Sequence, residues 1–144
     1  MQTLFQPSRR IVLAACLVAG LYGACGVAAA APVQVTLSGG QEVPAVTTSA
    51  KGTGTITVNS DKTVSGSVMT SGIQGTMAHI HEAAAGKNGP VIIPLQKKSA
   101  GEWVVPAGAK LTDAQYKAYE AGDLYYNVHS DAHKAGEIRG QIKP

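Results

Sequence analysis

The chain has 144 residues, 44% of them apolar and 15% charged, with a formal net charge of +3. Its basic residues are scattered and form no stripe able to track a phosphate backbone, which excludes nucleic acid from the expected partners. After residue 31 no apolar run is long enough to span a bilayer, and the length left suits one domain with one core.

The first predicted element is an export signal over residues 1–30. Arg9 and Arg10 supply the basic start, residues 11–27 the apolar stretch, and Ala28-Ala29-Ala30 a small-residue cleavage site. A cut after Ala31 would leave Pro32 at the new terminus, so the cut is placed after Ala30. The mature domain is then residues 31–144, expected to be periplasmic or secreted, free of the membrane after signal cleavage, and at a formal charge of +1 once Arg9 and Arg10 are gone. Both cysteines, Cys16 and Cys25, fall inside the leader, so the mature chain is expected to fold without a disulfide. Lipidation at Cys25, after Tyr22-Gly23-Ala24, is the alternative processing.

From Val33 onward, short apolar alternations broken by Gly, Ser, Thr and Pro predict an all-β sandwich or barrel. Val33-Gln34-Val35-Thr36-Leu37 is the first strand and Gly54-Thr55-Ile56-Thr57-Val58 the second. Asn59-Ser60-Asp61-Lys62 turns the chain into a hairpin partner over residues 63–70. A strand through His79 and His81 follows, then a loop at Ala85-Gly86-Lys87-Asn88-Gly89-Pro90. Val91-Ile92-Ile93-Pro94-Leu95 reads as a buried strand, with Pro94 marking an edge or an end, and Glu102-Trp103-Val104-Val105 as a short one. One short helix precedes the penultimate strand: Thr112-Asp113-Ala114-Gln115 fits a capping box, Tyr116 and Tyr119 make an apolar stripe, and Gly122 is a natural stop. Residues 123–130 and 137–142 close the sheet.

All four histidines fall in two tight clusters, His79-Ile80-His81 and His129-Ser130-Asp131-Ala132-His133. On an extended strand His79 and His81 share one face, with Cα atoms about 6.6 Å apart. Ala78 and Ile80 then face the core, while Met77 joins the histidine face. If folding brings the second cluster alongside, His79, His81, His129 and His133 can hold one metal ion. Imidazoles without thiolate suit several metals; the top of the Irving–Williams order and the exported location place copper, as Cu(I) or Cu(II), ahead of zinc. Met77 and Met69 are read first as core fillers and second as soft ligands. Glu82 and Asp131 are candidates to fix the histidine tautomers. Glu137 and Arg139 read as an ion pair or hydrogen-bond clamp, with Arg139 as anion attractor the rival role. No nucleophile–base pair, phosphate loop or carboxylate pair stands out, so hydrolase chemistry is not expected.

Three further stretches carry a resemblance. Leu37-Ser38-Gly39-Gly40-Gln41-Glu42-Val43-Pro44, His79-Ile80-His81 with Asn88-Gly89-Pro90-Val91, and Gly122-Asp123-Leu124-Tyr125-Tyr126-Asn127-Val128-His129 through Gly136-Glu137-Ile138-Arg139-Gly140-Gln141 together resemble the CHRD domain, named after chordin and also found in bacterial secreted proteins. His133-Lys134 stands where that family's pattern has Asn-Pro, so the resemblance assigns His133 no role. His79-Ile80-His81-Glu82 and the Gly-rich loop after it are also similar to the copper strand of Cu,Zn superoxide dismutases. That similarity implies a Greek-key β-sandwich or barrel with His79, His81 and His129 as copper ligands. Four histidines cannot fill both of that family's metal sites, so at most a copper-only relative is implied. The expected function is an exported copper-binding protein that buffers or delivers the ion, or confers tolerance, its partners the metal ion and an envelope copper-handling protein. A copper-only redox enzyme and a metal-free protein-interaction module are the alternatives.

Overall fold

Alternating apolar residues along successive strands must bury one face, and here they do so by rolling the sheet on itself. The computed structural model describes residues 30–144; apart from Ala30, the expected leader lies outside them. Nine strands form one antiparallel sheet: β1 (Val33–Ser38), β2 (Lys51–Val58), β3 (Val64–Ser71), β4 (Gly75–Glu82), β5 (Val91–Pro94), β6 (Gln96–Ser99), β7 (Glu102–Val104), β8 (Leu124–Ser130) and β9 (Ile138–Ile142). Their spatial order is β5-β4-β8-β9-β1-β2-β3-β7-β6. The Leu95 N–H donates to Ala78 O at 2.9 Å, extending the β4–β5 pairing, and Leu95 itself links β5 to β6, the two ends of that order, in a nearly closed barrel or sandwich. The expected all-β class is what the chain adopts.

The core takes alternate residues from each strand: Val35 and Leu37, Ile56 and Val58, Ala78 and Ile80, Leu124, Tyr126 and Val128, Ile138 and Ile142. Tyr126 is wholly buried and its hydroxyl donates to Thr55 O at 2.9 Å, so the one polar atom it carries inward is satisfied. The helix α1 (Asp113–Ala121) begins where its capping box lies: the Thr112 hydroxyl accepts from Gln115 N, and the Gln115 side chain accepts from Thr112 N. It ends at Gly122, in the left-handed region at φ 78°. Strand β6 was not expected, because Gln96-Lys97-Lys98-Ser99 is exposed throughout and shows no apolar alternation.

Strand β8 departs from the one-sided rule, since all seven of its residues are buried. Leu124, Tyr126 and Val128 face the core. Tyr125, Asn127 and His129 lie on the outer face, where the connections over residues 39–50 and 83–90 cover them. The barrel therefore carries a second, polar layer over β4, β8 and β9.

Strands β1 and β9 approach closely enough that a Cβ on Gly140 would lie 2.6 Å from Val35 Cγ1 and 2.7 Å from Thr36 O. Gly140→Ala should therefore lower the unfolding free energy by about 1–3 kcal/mol, read from the denaturant midpoint; an unchanged midpoint would show that these strands yield freely.

Candidate metal centre

The outer face of β4 presents His79 and His81, and β8, paired with it in the register Met77 to His129 and His79 to Asn127, brings His129 beside them. The three imidazoles converge, each offering a nitrogen within 4.8 Å of the other two. Ring centroids stand 4.9 Å apart for His79 and His129, 5.5 Å for His79 and His81, and 6.1 Å for His81 and His129.

Two main-chain carbonyls set the tautomers. His81 Nδ1–H donates to Gly89 O and His129 Nδ1–H to Lys134 O, each at 3.0 Å. Both rings therefore turn an unprotonated Nε2 into the cluster. His129 Nε2 receives His79 Nδ1–H at 3.0 Å, whereas His81 Nε2 is buried and meets no protein partner. Ligands about 2.0–2.1 Å from a tetrahedral ion lie about 3.3 Å from one another, so an ion fits between His79 Nδ1 and His129 Nε2 once the His79 proton moves to its Nε2 and the two nitrogens part by a few tenths of an ångström. The donor set fits a metal.

Burial pushes all three rings toward the neutral, ligating form. It lowers His79 to about 4, helped by the charges His129 and His81 would carry. Burial also lowers His81, opposed by the Gly89 carbonyl, and lowers His129, opposed by the Lys134 carbonyl.

His133 is not part of this cluster. Its N–H and carbonyl close the turn after β8, donating to Ser130 O at 3.2 Å and accepting from Gly136 N at 3.0 Å. That turn leads the chain away so that Lys134 O, one residue on, reaches His129. The carboxylates expected to fix the tautomers are likewise displaced by carbonyls: Asp131 is exposed, and Glu82 supplies no hydrogen bond to a histidine. Neither methionine fills the core; Met77 is 49% exposed and Met69 51%.

The expected pairing of Glu137 with Arg139 gives way to two separate networks. Glu137 accepts from Thr48 Oγ1 at 2.7 Å and from Ser130 Oγ. Arg139, 1% exposed, donates to Lys87 O at 2.7 Å, Ala84 O at 3.3 Å and Gln141 Oε1 at 2.9 Å. Its guanidinium lies 3.5 Å from the centroid of the Tyr125 ring, and the other partner of Tyr125 is His81, stacked at 4.9 Å with an interplanar angle of 12°. So placed, Arg139 is a clamp and is not open to a passing anion. The Gly89 N–H donates to Tyr125 Oη at 3.2 Å, so one residue holds His81 by its carbonyl and Tyr125 by its amide. Only glycine fits there, because a Cβ would fall 1.8 Å from Glu82 O.

Glu42 completes the layer. Its Oε2 accepts from Asn127 Nδ2 at 3.1 Å, while Glu42 Oε1 and Asn127 Oδ1 are buried acceptors without partners. Burial pushes Glu42 up to about 6, against the Asn127 amide and the Arg139 charge; a proton on this carboxyl offers the pair the donor it lacks. Nothing in the sequence pattern singled out Glu42 and Asn127, though Glu42 lies within the opening motif quoted above.

Among family models, that of the CHRD domain matches residues 33–142, from the first residue of β1 to the last of β9. No curated protein and no solved structure matches the chain.

Two outcomes follow from these contacts. The folded His79 lies below its ordinary 6.5, so the unfolded chain takes up that proton first. Its contribution to stability is whole above pH 6.5 and is lost as the pH falls to about 4. Glu42 works the other way, favouring the fold below 4.5 and losing that effect as the pH rises through about 6. In the metal-free protein, denaturant midpoints measured between these limits should fall less steeply for His79→Gln than for the wild type; parallel slopes would show that His79 charges freely in the fold. Arg139→Lys keeps a charge but loses the planar fork, and should cost about 1–3 kcal/mol. Amide exchange should then quicken at residues 83–90 more than in β2 and β3; uniform quickening would contradict a local clamp.

Proposed function

The chain belongs to the CHRD domain family, and on that footing we propose that this member is an exported protein that holds one copper ion through His79, His81 and His129, to buffer it or pass it to an envelope partner. The observation that carries the reading is the buried, unpartnered Nε2 of His81, aimed with the other two rings at one point while its own Nδ1–H is tied to a carbonyl. A buried acceptor left without a donor costs about 1–3 kcal/mol, and a cation at that point removes the cost.

Copper is favoured by the donor set. Three neutral imidazoles bring no charge of their own, so a hard cation such as Mg²⁺ or Ca²⁺, which takes oxygen ligands, gains little from them. Between copper and zinc, the Irving–Williams order favours divalent copper. The basic start, apolar stretch and Ala28-Ala29-Ala30 at residues 1–30 have the pattern of an export leader, and an exported location is where a copper-buffering role is at home. Among the described residues no helix is long and apolar enough to cross a membrane.

Binding is a better reading than redox catalysis. An enzyme acting on an anion would gain from a cation at the mouth of the site, and Arg139, the one arginine in the described residues, is buried under residues 84–88 with its donors engaged.

Copper titration of the purified protein tests the reading. The wild type should take up one equivalent, and the His79→Ala/His81→Ala variant should lose it. Equal uptake by both would reject the site.

A further inference from the structure

The closed and open flanks of the histidine cluster point to one more ligand. Tyr125 and residues 83–90 cover the His81 side, and the turn that carries Lys134 O covers the His129 side. The remaining flank, at the start of β4, is open: Thr76 and Met77 are exposed and His79 is half-buried.

A bulge governs what stands at that opening. Gly75 pairs with Ser130 and Met77 with His129, so two steps along β4 match one along β8, and Thr76 is the extra residue. A bulge re-aims the side chains beyond it. Here it sets Met77 directly opposite His129, on the same face as His79 and His81. Residues so opposed hold their Cβ atoms about 4.5–5.5 Å apart. The unbranched methionine side chain swings its sulfur through three rotatable bonds. Met77 is 49% exposed, so its sulfur is free to turn toward the imidazoles without leaving a core.

We propose that Met77 Sδ is the fourth ligand, making this a three-histidine, one-thioether site for cuprous copper. The inference rests on the reading of the cluster as a copper site and adds the oxidation state. A thioether is a soft, neutral donor that suits Cu(I), whereas imidazole serves either state. Three rigidly held rings with one flexible thioether at the solvent side also give the ion a route: the sulfur takes the ion first and releases it last.

The test uses full-length protein expressed with its own leader, purified and loaded anaerobically with Cu(I), then in parallel with Cu(II). X-ray absorption of the Cu(I) form should show one sulfur in the first coordination shell beside nitrogen ligands. In competition with a Cu(I) chelator, Met77→Leu should weaken retention at least about tenfold, with Cu(II) uptake unchanged. Leucine conserves volume at an exposed position, so the fold should hold. Met69→Leu serves as control: Met69 is equally exposed, but β3 is separated from β4 by β8, β9, β1 and β2 one way round the sheet and by β7 and β6 the other. Copper bound through nitrogen alone, with Met77→Leu matching the wild type, would overturn the thioether and leave the histidine site standing. Equal weakening by Met69→Leu would overturn it as well, since a distant sulfur would then do as much. Failure of the wild type to bind either ion would overturn the copper reading itself.

Discussion

The buried guanidinium of Arg139 is the constraint around which the outer layer is arranged. A cation with almost no solvent exposure must be neutralised or fully hydrogen-bonded, and no carboxylate pairs with it. Carbonyls of residues 84 and 87, the Gln141 amide and the face of Tyr125 take that part instead. Because those carbonyls belong to a connecting segment, satisfying the charge pins residues 83–90 against the sheet. Gln141 reinforces the hold, donating to Ala83 O at 3.0 Å and Gly122 O at 2.8 Å. Asn88 extends it by donating to Val43 O at 2.7 Å, which joins the two covering connections. With that segment fixed, Gly89 stands where both His81 and Tyr125 need it.

The same arrangement explains why β8 is buried on both faces in an antiparallel sheet, where one face is ordinarily wet. Apolar residues fill its inner side. On the outer side polar residues are buried together and pair with one another, Asn127 with Glu42 and Tyr125 with Arg139 and His81, leaving one acceptor each on Glu42 and Asn127 without a partner. The histidines sit at the margin of this layer. It is dry enough there to keep the rings neutral, yet His79 remains half-open to solvent.

Much of the fold was legible because it rests on patterns that letters record. Period-two alternation marked most strands, and Thr112, Gln115 and Gly122 marked both ends of the helix. Strand β6 left no such mark, since an exposed edge strand buries no alternate residue. At the site, the two-residue spacing of His79 and His81 put both on one face, and their convergence with His129 follows from strand pairing. His133 shows where spacing misleads: four residues beyond His129, it has already entered a turn. The same two-residue spacing puts Met77 on the histidine face, while its pairing directly opposite His129 depends on the bulge at Thr76, which no pattern in the sequence marks. The contacts that orient the rings were out of reach, because a main-chain carbonyl is present at every position and so distinguishes none.

The groups that hold His81 and His129 in their tautomers belong to the peptide backbone at residues 89 and 134, so truncating a side chain removes neither, although any side chain added at Gly89 would displace its carbonyl. Position 134 is free to drift through almost any amino acid while its oxygen stays in place, and truncating Lys134 would leave the contact untouched. Relatives sharing little sequence around the second histidine cluster can thus retain identical ligand chemistry, and a survey built on side-chain deletions would overlook half of what prepares the rings.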